Sequence, residues 1–365
     1  MESLNDFHHM RHALALAARG LGRVAPNPAV GCVIVSRDGT VAGRGWTGRG
    51  GRPHAEAAAL DQAGEAARGA TAYVTLEPCA HHGETPPCAE ALVRAGVAHV
   101  VGAIEDPDPR VSGRGFERLR QGGIDVHTPL LEREAADLNR GFFLRIREKR
   151  PFVTLKVAAS MDGRIASAGG ESRWITGTDA RRFGHLLRAK HDVVLVGIET
   201  VLADDPLLTC RIAGLEQDSP VRVVLDTRLR MSNHSRLARS ARDVPTLLYT
   251  VSQGGSALAE CGVEIVTVAR DARGRPDIGA VLTELASRGI TRLLVEGGAS
   301  VHASFLDRGY ADRLELFRGP LALGASGLPA IDALAAFSLD EAPRFVSAGT
   351  RQLGADLLET FEARH

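Results

Sequence analysis

A histidine, a glutamate and two cysteines occur in the order expected of a catalytic zinc site. His54 and Glu56 are separated by one residue, and Cys79 and Cys88 follow farther along the chain. One imidazole and two thiolates supply three ligands to Zn²⁺ and leave the fourth tetrahedral position open for water. Glu56, two residues from the histidine, can move protons without binding the metal. This pattern predicts hydrolytic deamination of a nucleobase.

The second cysteine is more distant than in the common Pro-Cys-x-x-Cys pattern. Eight residues separate Cys79 from Cys88, and they include Gly83 and the pair Pro86–Pro87. Such residues favour a compact turn, so both thiolates can still reach one metal ion. We therefore predict one zinc ion per chain, held by these two cysteines and His54, with Glu56 as the catalytic residue.

Alternating helices and strands must position these residues, which is typical of an α/β fold. Apolar residues recur at helical spacing over residues 6–21, and continuous apolar runs indicate buried strands. Around the site, strands are expected at residues 30–35, 72–76 and 97–104. Helices are expected at residues 54–67 and 89–95. A last helix, near 130–148, should stop before Pro151, because proline disfavours helical geometry in its predecessor. We expect two domains, residues 1–148 and 149–365.

The second half repeats the alternation of strands and helices. Residues 295–300, Val-Glu-Gly-Gly-Ala-Ser, connect a buried strand to a predicted helix. Small residues there let the backbone approach a phosphate, and a helix N-terminus favours negative charge. An ordinary strand-to-helix turn explains this motif equally well. The predicted strands are 152–157, 193–196, 221–225, 246–249, 264–268 and 293–295, with helices near 179–189 and 278–287.

Composition argues against several classes of protein. The chain has 365 residues with 44 basic and 44 acidic side chains, so no overall field recruits nucleic acid or an anionic membrane. Three Tyr and two Trp are too few for a platform that stacks single-stranded bases. No apolar run approaches the roughly 18 residues of a membrane span, and the first residues lack the pattern of a signal peptide. A cytoplasmic protein acting on a small molecule is expected.

Two stretches of the first half carry a specific resemblance. Residues 26–32 read Pro-Asn-Pro-Ala-Val-Gly-Cys, and residues 76–88 read Leu-Glu-Pro-Cys-Ala-His-His-Gly-Glu-Thr-Pro-Pro-Cys. Both resemble the bifunctional riboflavin-biosynthesis enzymes, in which a pyrimidine deaminase is fused to a 5-amino-6-(5-phosphoribosylamino)uracil reductase. The resemblance implies a cytidine-deaminase-like α/β/α sandwich. It also implies that Asn27 binds the pyrimidine, since an amide offers a donor and an acceptor, although turn formation is an alternative role.

The second half is similar to the dihydrofolate-reductase-like α/β domain of the same family. Residues 151–164 read Pro-Phe-Val-Thr-Leu-Lys-Val-Ala-Ala-Ser-Met-Asp-Gly-Arg, and the similarity continues through 172–176 and 197–211. The implied substrate of the first step is 2,5-diamino-6-(5-phosphoribosylamino)pyrimidin-4(3H)-one. Deamination and hydride transfer from NADPH to C1 of the opened ribose would then give 5-amino-6-(5-phosphoribitylamino)uracil.

The resemblance assigns roles to individual residues of this half. Asp204 is implied in catalysis, through the ribose hydroxyls or proton delivery as the imine is reduced. Lys156, Arg188 and Arg211 suit the sugar phosphate, because arginine can form two parallel hydrogen bonds to it; a solvated helix face is the alternative for Arg188. The substrate contacts are expected at Lys156, Ser172, Arg188, Asp204, Leu207, Arg211 and Glu296. The cofactor contacts are expected at Ala158, Trp174, Thr200, Gly297, Gly298, Ala299 and Ser300.

Two positions depart from the pattern of the family. Thr47 stands seven residues before His54, where a histidine is common, and Glu84 stands where a basic residue usually meets the substrate phosphate. An acid beside a phosphate is repulsive, so Glu84 is not expected to bind it. His81 and His82 are expected to lie outside the ligand set.

Three hypotheses about function follow. The first is the two-step enzyme described above. The second is a nucleoside or tRNA deaminase with an unrelated second domain, although the neutral net charge argues against RNA. The third is a non-enzymatic protein in which a fourth protein ligand completes the zinc site. A homodimer is also expected, because closed twofold assemblies are common.

Overall fold

Each half of the chain is organised around its own β-sheet. The computed structural model describes residues 4–80, 86–109, 111–336 and 338–364. They belong to two compact units that divide between Arg150 and Pro151. No helix in the described ranges is both long enough and apolar enough to cross a membrane.

The first unit alternates helices and strands, and short 3₁₀ turns follow α1, precede His54 and follow α2. Its helices are α1 (Leu4–Ala17), α2 (Ala55–Ala63), α3 (Cys88–Ala95), α4 (Arg114–Gln121), α5 (Glu132–Leu138) and α6 (Arg140–Arg147). Its strands are β1 (Gly31–Val35), β2 (Val41–Trp46), β3 (Thr71–Val74), β4 (His99–Gly102) and β5 (Asp125–His127).

The first sheet is mixed and is covered on both faces. Its strands lie in the order β2-β1-β3-β4-β5; β1 is antiparallel to β2 and β3, and β3, β4 and β5 are parallel. Every residue of β1 is buried. Cys32 and Ile34 face a core shared with α2 and α3, whereas Val33 and Val35 face α1. The predicted α/β/α sandwich is confirmed.

One predicted helix of the first half differs from the structure, and the predictions omit β2, α4 and β5. The helix expected near residues 130–148 is two helices, separated at the buried Asn139. The Asn139 side chain accepts a hydrogen bond from Ala29 N at 2.9 Å and donates one to Ala29 O at 3.0 Å. Periodicity cannot show this long-range contact. The apolar pattern also misses β2, because Gly43 and Gly45 interrupt it.

The second unit is larger and again alternates strands and helices. Its strands are β6 (Phe152–Ser160), β7 (Arg164–Ala166), β8 (Val193–Gly197), β9 (Val221–Leu225), β10 (Thr246–Thr250), β11 (Glu264–Thr267), β12 (Arg292–Val295), β13 (Arg313–Gly319), β14 (Leu328–Pro329), β15 (Phe345–Leu353) and β16 (Asp356–Ala363). Its helices are α7 (Thr178–Ala189), α8 (Ile198–Asp204), α9 (Arg236–Arg239), α10 (Ser256–Glu260), α11 (Ile278–Ser287) and α12 (Ala299–Asp307).

The second sheet has nine strands in the order β11-β10-β9-β8-β12-β6-β13-β16-β15. Neighbours from β11 to β13 are parallel, and β16 and β15 add an antiparallel edge. The carboxyl ends of β6, β8 and β12 therefore lie side by side. Ligands of parallel α/β sheets bind at such ends, and the second candidate site forms there.

The predicted strands of the second half are present, but β7, β13, β14, β15 and β16 are not among them. Most residues of β15 are exposed, so no apolar alternation marks it in the sequence. Its partner β16 lies between β13 and β15 in the sheet, although β14 and β15 separate β13 from β16 along the chain. Edge strands of this kind are fixed by pairing rather than by burial.

Candidate functional site

Three candidate metal ligands converge in the first unit. His54 immediately precedes α2, Cys88 is the first residue of α3, and Cys79 lies beyond the end of β3. His54 Nδ1 is 3.2 Å from Cys88 Sγ and 3.7 Å from Cys79 Sγ. The three ligand atoms all lie within 4.8 Å of one another. The fold thus brings together the residues that spacing predicts.

The donor set of this cluster fits a zinc ion. A hydrogen bond from the Cys88 thiol, together with His54, lowers the pKa of Cys79 to about 4, and the same bond raises the pKa of Cys88. The hydrogen bond to Cys79 raises the pKa of His54. The thiolate is the form of cysteine that binds a metal ion, so the lowered pKa of Cys79 suits a zinc ligand. Within the described ranges no fourth His, Cys, Asp or Glu joins the cluster, and three protein ligands are the number that catalytic zinc sites have.

Glu56 lies in the first turn of α2, beside the thiolates. Its side chain is buried, at 4% exposure. Burial, and then the charge of Cys79, raise the pKa of Glu56 to about 7, although His54 opposes the shift. A carboxyl group with a pKa near neutrality can both accept and return a proton. Its position is that of a proton carrier next to the metal ligands.

Close packing of α2 on β2 fixes the direction of His54 and Glu56. A Cβ atom at Gly43 would lie 2.1 Å from Ala59 O, and one at Gly45 would lie 2.0 Å from Ala55 O. Larger residues would therefore push α2 away from the sheet. Residues 43–48 also fit the pattern Gly-x-Gly-x-x-Gly, a weak signal of dinucleotide binding. Gly43 and Gly45 instead allow α2 to pack closely on β2.

Glu77 is a residue of this site that the sequence analysis does not single out. It is buried, two residues before Cys79, and its carboxylate accepts backbone N–H groups from Asp106, Gly113 and Gly115 at 3.1, 2.9 and 2.7 Å. Hydrogen bonds to the Glu77 carboxylate thus hold the chain at Asp106, Gly113 and Gly115 next to the segment that contains Cys79. A Leu-Glu-Pro-Cys sequence is the only sequence signal of this role.

Asn27 and Thr47 lie in the segments that precede the metal ligand His54. Asn27 Nδ2 donates to Gly50 O at 3.4 Å, within the 3₁₀ turn before His54. Thr47 is buried; its hydroxyl accepts Val30 N–H at 2.9 Å and donates to Pro28 O at 3.1 Å. Thr47 therefore positions the segment that carries Asn27. His81, His82 and Glu84 lie outside the described residues.

A separate cavity opens at the carboxyl ends of the second sheet. Its volume is about 1280 Å³, which suits a large ligand or two ligands side by side. Every residue predicted to bind substrate or cofactor in the second half lines it. These residues are Lys156, Ala158, Ser172, Trp174, Arg188, Thr200, Asp204, Leu207, Arg211, Glu296, Gly297, Gly298, Ala299 and Ser300.

Arg188 and Glu296 form a buried two-point ion pair in this cavity. Arg188 Nε and Nη2 donate to Glu296 at 2.6 and 2.9 Å, and Lys156 Nζ lies 3.9 Å from the same carboxylate. Burial opposes ionisation of Glu296, but Arg188 and Lys156 outweigh it and lower its pKa to about 2. Arg188 Nη1 also donates to Thr209 O at 3.0 Å. Most N–H donors of Arg188 are thus bound to other protein groups. Arg211, in contrast, is exposed and accessible to a phosphate.

Asp204 ends α8 at the rim of the cavity. Its side chain is 42% exposed, and Arg173 Nη2 lies 3.8 Å from Asp204 Oδ1 and donates to Asp204 O at 3.1 Å. The exposed carboxylate is available to hydroxyl groups of a ligand. This environment differs from the buried one of Glu56.

The chain between β12 and α12 has the properties of a phosphate-binding turn. Gly297 has a positive φ of 112°, which glycine adopts without strain. Gly298 precedes the first residue of α12 and has no side chain to cap the helix, so first-turn N–H groups face the ligand side. Trp174 also lines the cavity; it is 67% exposed, and Arg181 Cζ lies 4.3 Å from its ring centroid. An open indole and uncapped N–H groups fit a nicotinamide nucleotide.

His185 is a second residue that the sequence analysis does not single out. Its Nδ1–H donates to Thr209 O at 3.0 Å, and Arg211 Nε donates to its Nε2 at 3.4 Å. Burial, followed by the charges of Arg188 and Arg211, lowers its pKa and keeps the ring neutral at physiological pH. His185 and Arg188, three residues apart on α7, therefore hold the segment that carries Arg211.

Comparison with known proteins agrees with this division into two sites. The family described as "Cytidine and deoxycytidylate deaminase zinc-binding region" matches residues 4–104, and "RibD C-terminal domain" matches residues 151–358. "Riboflavin biosynthesis protein RibD" of Aquifex aeolicus is 40% identical over 359 residues, covering 98% of each chain. The protein of that name from Escherichia coli is 40% identical over 370 residues, covering 97% of this chain and 98% of its own.

Solved structures show the same similarity over both units. Acinetobacter baumannii RibD superposes with a TM-score of 0.89 at 39% identity, covering 99% of each chain. A Thermotoga maritima protein described as a diaminohydroxyphosphoribosylaminopyrimidine deaminase/5-amino-6-(5-phosphoribosylamino)uracil reductase has a TM-score of 0.87 at 35% identity, again over 99% of each chain.

These matches decide between the hypotheses. The second domain is related to RibD reductases, so a deaminase with an unrelated second domain is wrong. A purely structural zinc protein is also excluded, since the family comprises enzymes with a deaminase and a reductase domain. Those two domains imply zinc and a nicotinamide cofactor. The chain belongs to the RibD family of bifunctional deaminase–reductase enzymes of riboflavin biosynthesis.

Proposed function

We propose that residues 1–148 deaminate 2,5-diamino-6-(5-phosphoribosylamino)pyrimidin-4(3H)-one and that residues 149–365 reduce the ribosyl group with NADPH. The product would be 5-amino-6-(5-phosphoribitylamino)uracil. The observation that carries this proposal is the cluster of His54, Cys79 and Cys88 beside the buried Glu56. The names of the two activities of the Thermotoga maritima relative support the choice of substrate.

In the deaminase, one zinc ion per chain would be held by His54, Cys79 and Cys88. Zinc there supplies Lewis-acid activation of the attacking water. Glu56 accepts a proton from that water and delivers it to the ring nitrogen, then assists protonation of the departing ammonia. A carboxyl group with a pKa near 7 can perform both transfers. Asn27 would orient the pyrimidine through its amide.

In the reductase, the cavity would bind the sugar phosphate beside the nicotinamide. The cofactor supplies the hydride that reduces C1 of the opened ribose. Arg211 and Lys156 attract the phosphate, while Arg188 and Glu296 form a fixed polar wall. Asp204 would hydrogen-bond the ribose hydroxyls or deliver the proton to the imine nitrogen. Ser172 and Leu207 complete the substrate side.

NADPH would occupy the side of the cavity that contains the uncapped end of α12. The N–H groups of Ala299 and Ser300 favour a phosphate there, and Gly297 and Gly298 allow close approach of the backbone. Trp174, which also lines the cavity, offers an exposed ring surface. The remaining expected contacts, Ala158 and Thr200, also line the cavity, and a Cβ atom at Gly298 would lie 3.5 Å from Thr200 Oγ1.

Cytoplasmic location and a homodimer stay predictions from the sequence. Cell fractionation tests the first, and sedimentation velocity tests the second. Neither affects the chemical assignment of the two sites.

Mass spectrometry of the products tests the proposed function. The zinc-loaded protein is incubated with the aminopyrimidine phosphate, with NADPH present or absent. Without NADPH we expect exchange of one amino group for oxygen; with it we expect the further gain of two hydrogen atoms. Cytidine and adenosine serve as comparison substrates. Deamination of these nucleosides in preference to the aminopyrimidine phosphate, or no reduction with NADPH, would contradict the proposal.

A further inference from the structure

A second group of side chains with ligand atoms suited to a metal ion lies on the surface of the first unit. His99, Asp125 and His127 place one imidazole nitrogen or carboxylate oxygen each within 4.8 Å of one another. Asp125 Oδ2 is 3.5 Å from His99 Nδ1 and 2.9 Å from His127 Nε2. Their side chains are 50%, 59% and 66% exposed for His99, Asp125 and His127, respectively. The mechanism proposed above uses none of them.

The pairing of two parallel strands creates this group. His99 begins β4 and is paired in register with Asp125, the first residue of β5. Residues paired in register point to the same face of a sheet, and so do residues two apart along one strand. Asp125 and His127 therefore share the face on which His99 stands. The three side chains are neighbours because of the register, with no special loop.

This group is distinct from the zinc ligands of the deaminase site. Cys79 follows the carboxyl end of β3, whereas His99 and Asp125 stand at the amino ends of β4 and β5, which run parallel to β3. Parallel strands present their carboxyl ends at one edge of the sheet and their amino ends at the opposite edge. The amino ends of β4 and β5, where His99 and Asp125 lie, are therefore on the opposite side of the sheet from the carboxyl end of β3, which leads to Cys79.

We propose that His99, Asp125 and His127 form an exchangeable site for a borderline divalent transition-metal ion, such as Zn²⁺ or Ni²⁺. Two imidazoles and one carboxylate are ligands that such ions accept. Metal–ligand bonds of about 2.0–2.2 Å separate tetrahedral ligand atoms by roughly 3.3–3.5 Å. The His99–Asp125 separation of 3.5 Å already matches this value. The His127–Asp125 contact of 2.9 Å must open slightly, which exposed side chains can do.

A bound ion would join β5 to the rest of the sheet. β5 has three residues and forms the edge of the sheet, next to β4. Strands this short have few hydrogen bonds and open locally at low free-energy cost. An ion that binds across both strands is bound only while they are paired, so it stabilises the paired state by mass action.

Metal counting on the full-length, zinc-loaded protein tests this site. The protein is dialysed against micromolar free Zn²⁺, and bound zinc is measured for the wild type and for a His99→Asn/His127→Asn variant. We expect the wild type to bind one ion per chain more than the variant. His234→Asn, which removes an exposed histidine of the second unit, is the matched control and should bind as the wild type does. Equal zinc content in the wild type and the double variant would overturn the assignment.

Amide hydrogen exchange locates the additional ion. Added Zn²⁺ should slow exchange at residues 125–127 in the wild type and leave it unchanged in the double variant. Circular dichroism and retained deaminase activity verify that the double variant is folded. Exchange at residues 125–127 that does not respond to Zn²⁺ in the wild type would also overturn the proposal.

Discussion

The pKa of the buried carboxyl group is raised in the first candidate site and lowered in the second. In the first unit, Glu56 is 4% exposed and its pKa is raised to about 7, mainly by burial. In the second unit, Asp204 is 42% exposed at the rim of the cavity. The buried carboxylate there is Glu296, whose pKa the neighbouring cations lower to about 2. Burial raises the pKa of both Glu56 and Glu296, and the neighbouring charges decide the net direction of each shift.

This difference corresponds to different chemical tasks. A hydrolytic deamination needs a group that accepts and returns protons near neutral pH, and an acid buried beside thiolates has that property. A hydride transfer takes its reducing equivalent from the cofactor, so the protein mainly binds and orients its ligands. A permanently ionised Glu296 that holds Arg188 in place suits such a rigid site. The following experiments test whether the two units differ in this way.

Replacing Glu56 with Gln should have the largest effect. The amide preserves size but cannot carry a proton, so deamination should fall by roughly a thousandfold. Zinc content and NADPH-dependent reduction of separately supplied deaminated substrate should be unchanged. Ammonia release measures the first activity and NADPH absorbance the second. Glu65→Gln, at an exposed position after α2, is the control; similar ammonia release by both variants would contradict the role of Glu56.

Replacing Glu296 with Gln should destabilise the second unit. The change leaves Arg188 buried without its anionic partner, and loss of one member of a buried ion pair costs about 3 kcal/mol of unfolding free energy or more. Glu199→Gln removes a partner of Arg230 from a surface pair in which Glu199 is 71% exposed, and it should cost less than about 1 kcal/mol. Urea denaturation followed by circular dichroism compares them. Equal losses would show that the Glu296 pair is not special.

Replacing His185 with Ala should weaken binding of the phosphorylated substrate. Arg211 and the carbonyl group of Thr209 lose their fixed partner, so KM of the reductase should rise about tenfold, equivalent to about 1.4 kcal/mol. Because His185 does not line the cavity, kcat should change little. His185→Asn, which keeps a donor for Thr209 O, should recover part of the loss. A fall in kcat with unchanged KM would indicate a different role.

Mild acid should destabilise the second unit through His191, although this effect is smaller. Its Nδ1–H donates to Leu187 O and its Nε2 accepts from Thr154; burial, then Arg292, lowers its pKa to about 3. The unfolded state, with a pKa near 6.5, therefore binds the proton first, and unfolding free energy falls as pH decreases below 6.5. Between pH 7 and pH 6 the loss should be about 0.7 kcal/mol. His191→Gln should reduce this slope in urea denaturation, whereas His234→Gln should not.

Sequence patterns identified the elements of both sheets where strands are buried and apolar. Strands β1, β8 and β12 are wholly buried and coincide with apolar runs. Strand β15 is exposed and β2 is glycine-rich, so neither has a periodic signal. The break between α5 and α6 at Asn139 depends on contacts with Ala29, which lies 110 residues away.

The residue types and spacing of His54, Glu56, Cys79 and Cys88 were enough to predict a deaminase, because each follows or begins a helix or strand that local sequence defines. Resemblance added the residues of the second cavity. Only the tertiary structure showed how those residues are paired: Arg188 on α7 and Glu296 just after β12 are separated by 108 residues and form an ion pair. The same is true of Glu77, His185 and the surface group on β4 and β5. Local sequence specifies elements and their ends, whereas contacts between distant residues depend on strand order and register, which the packing of the whole unit decides.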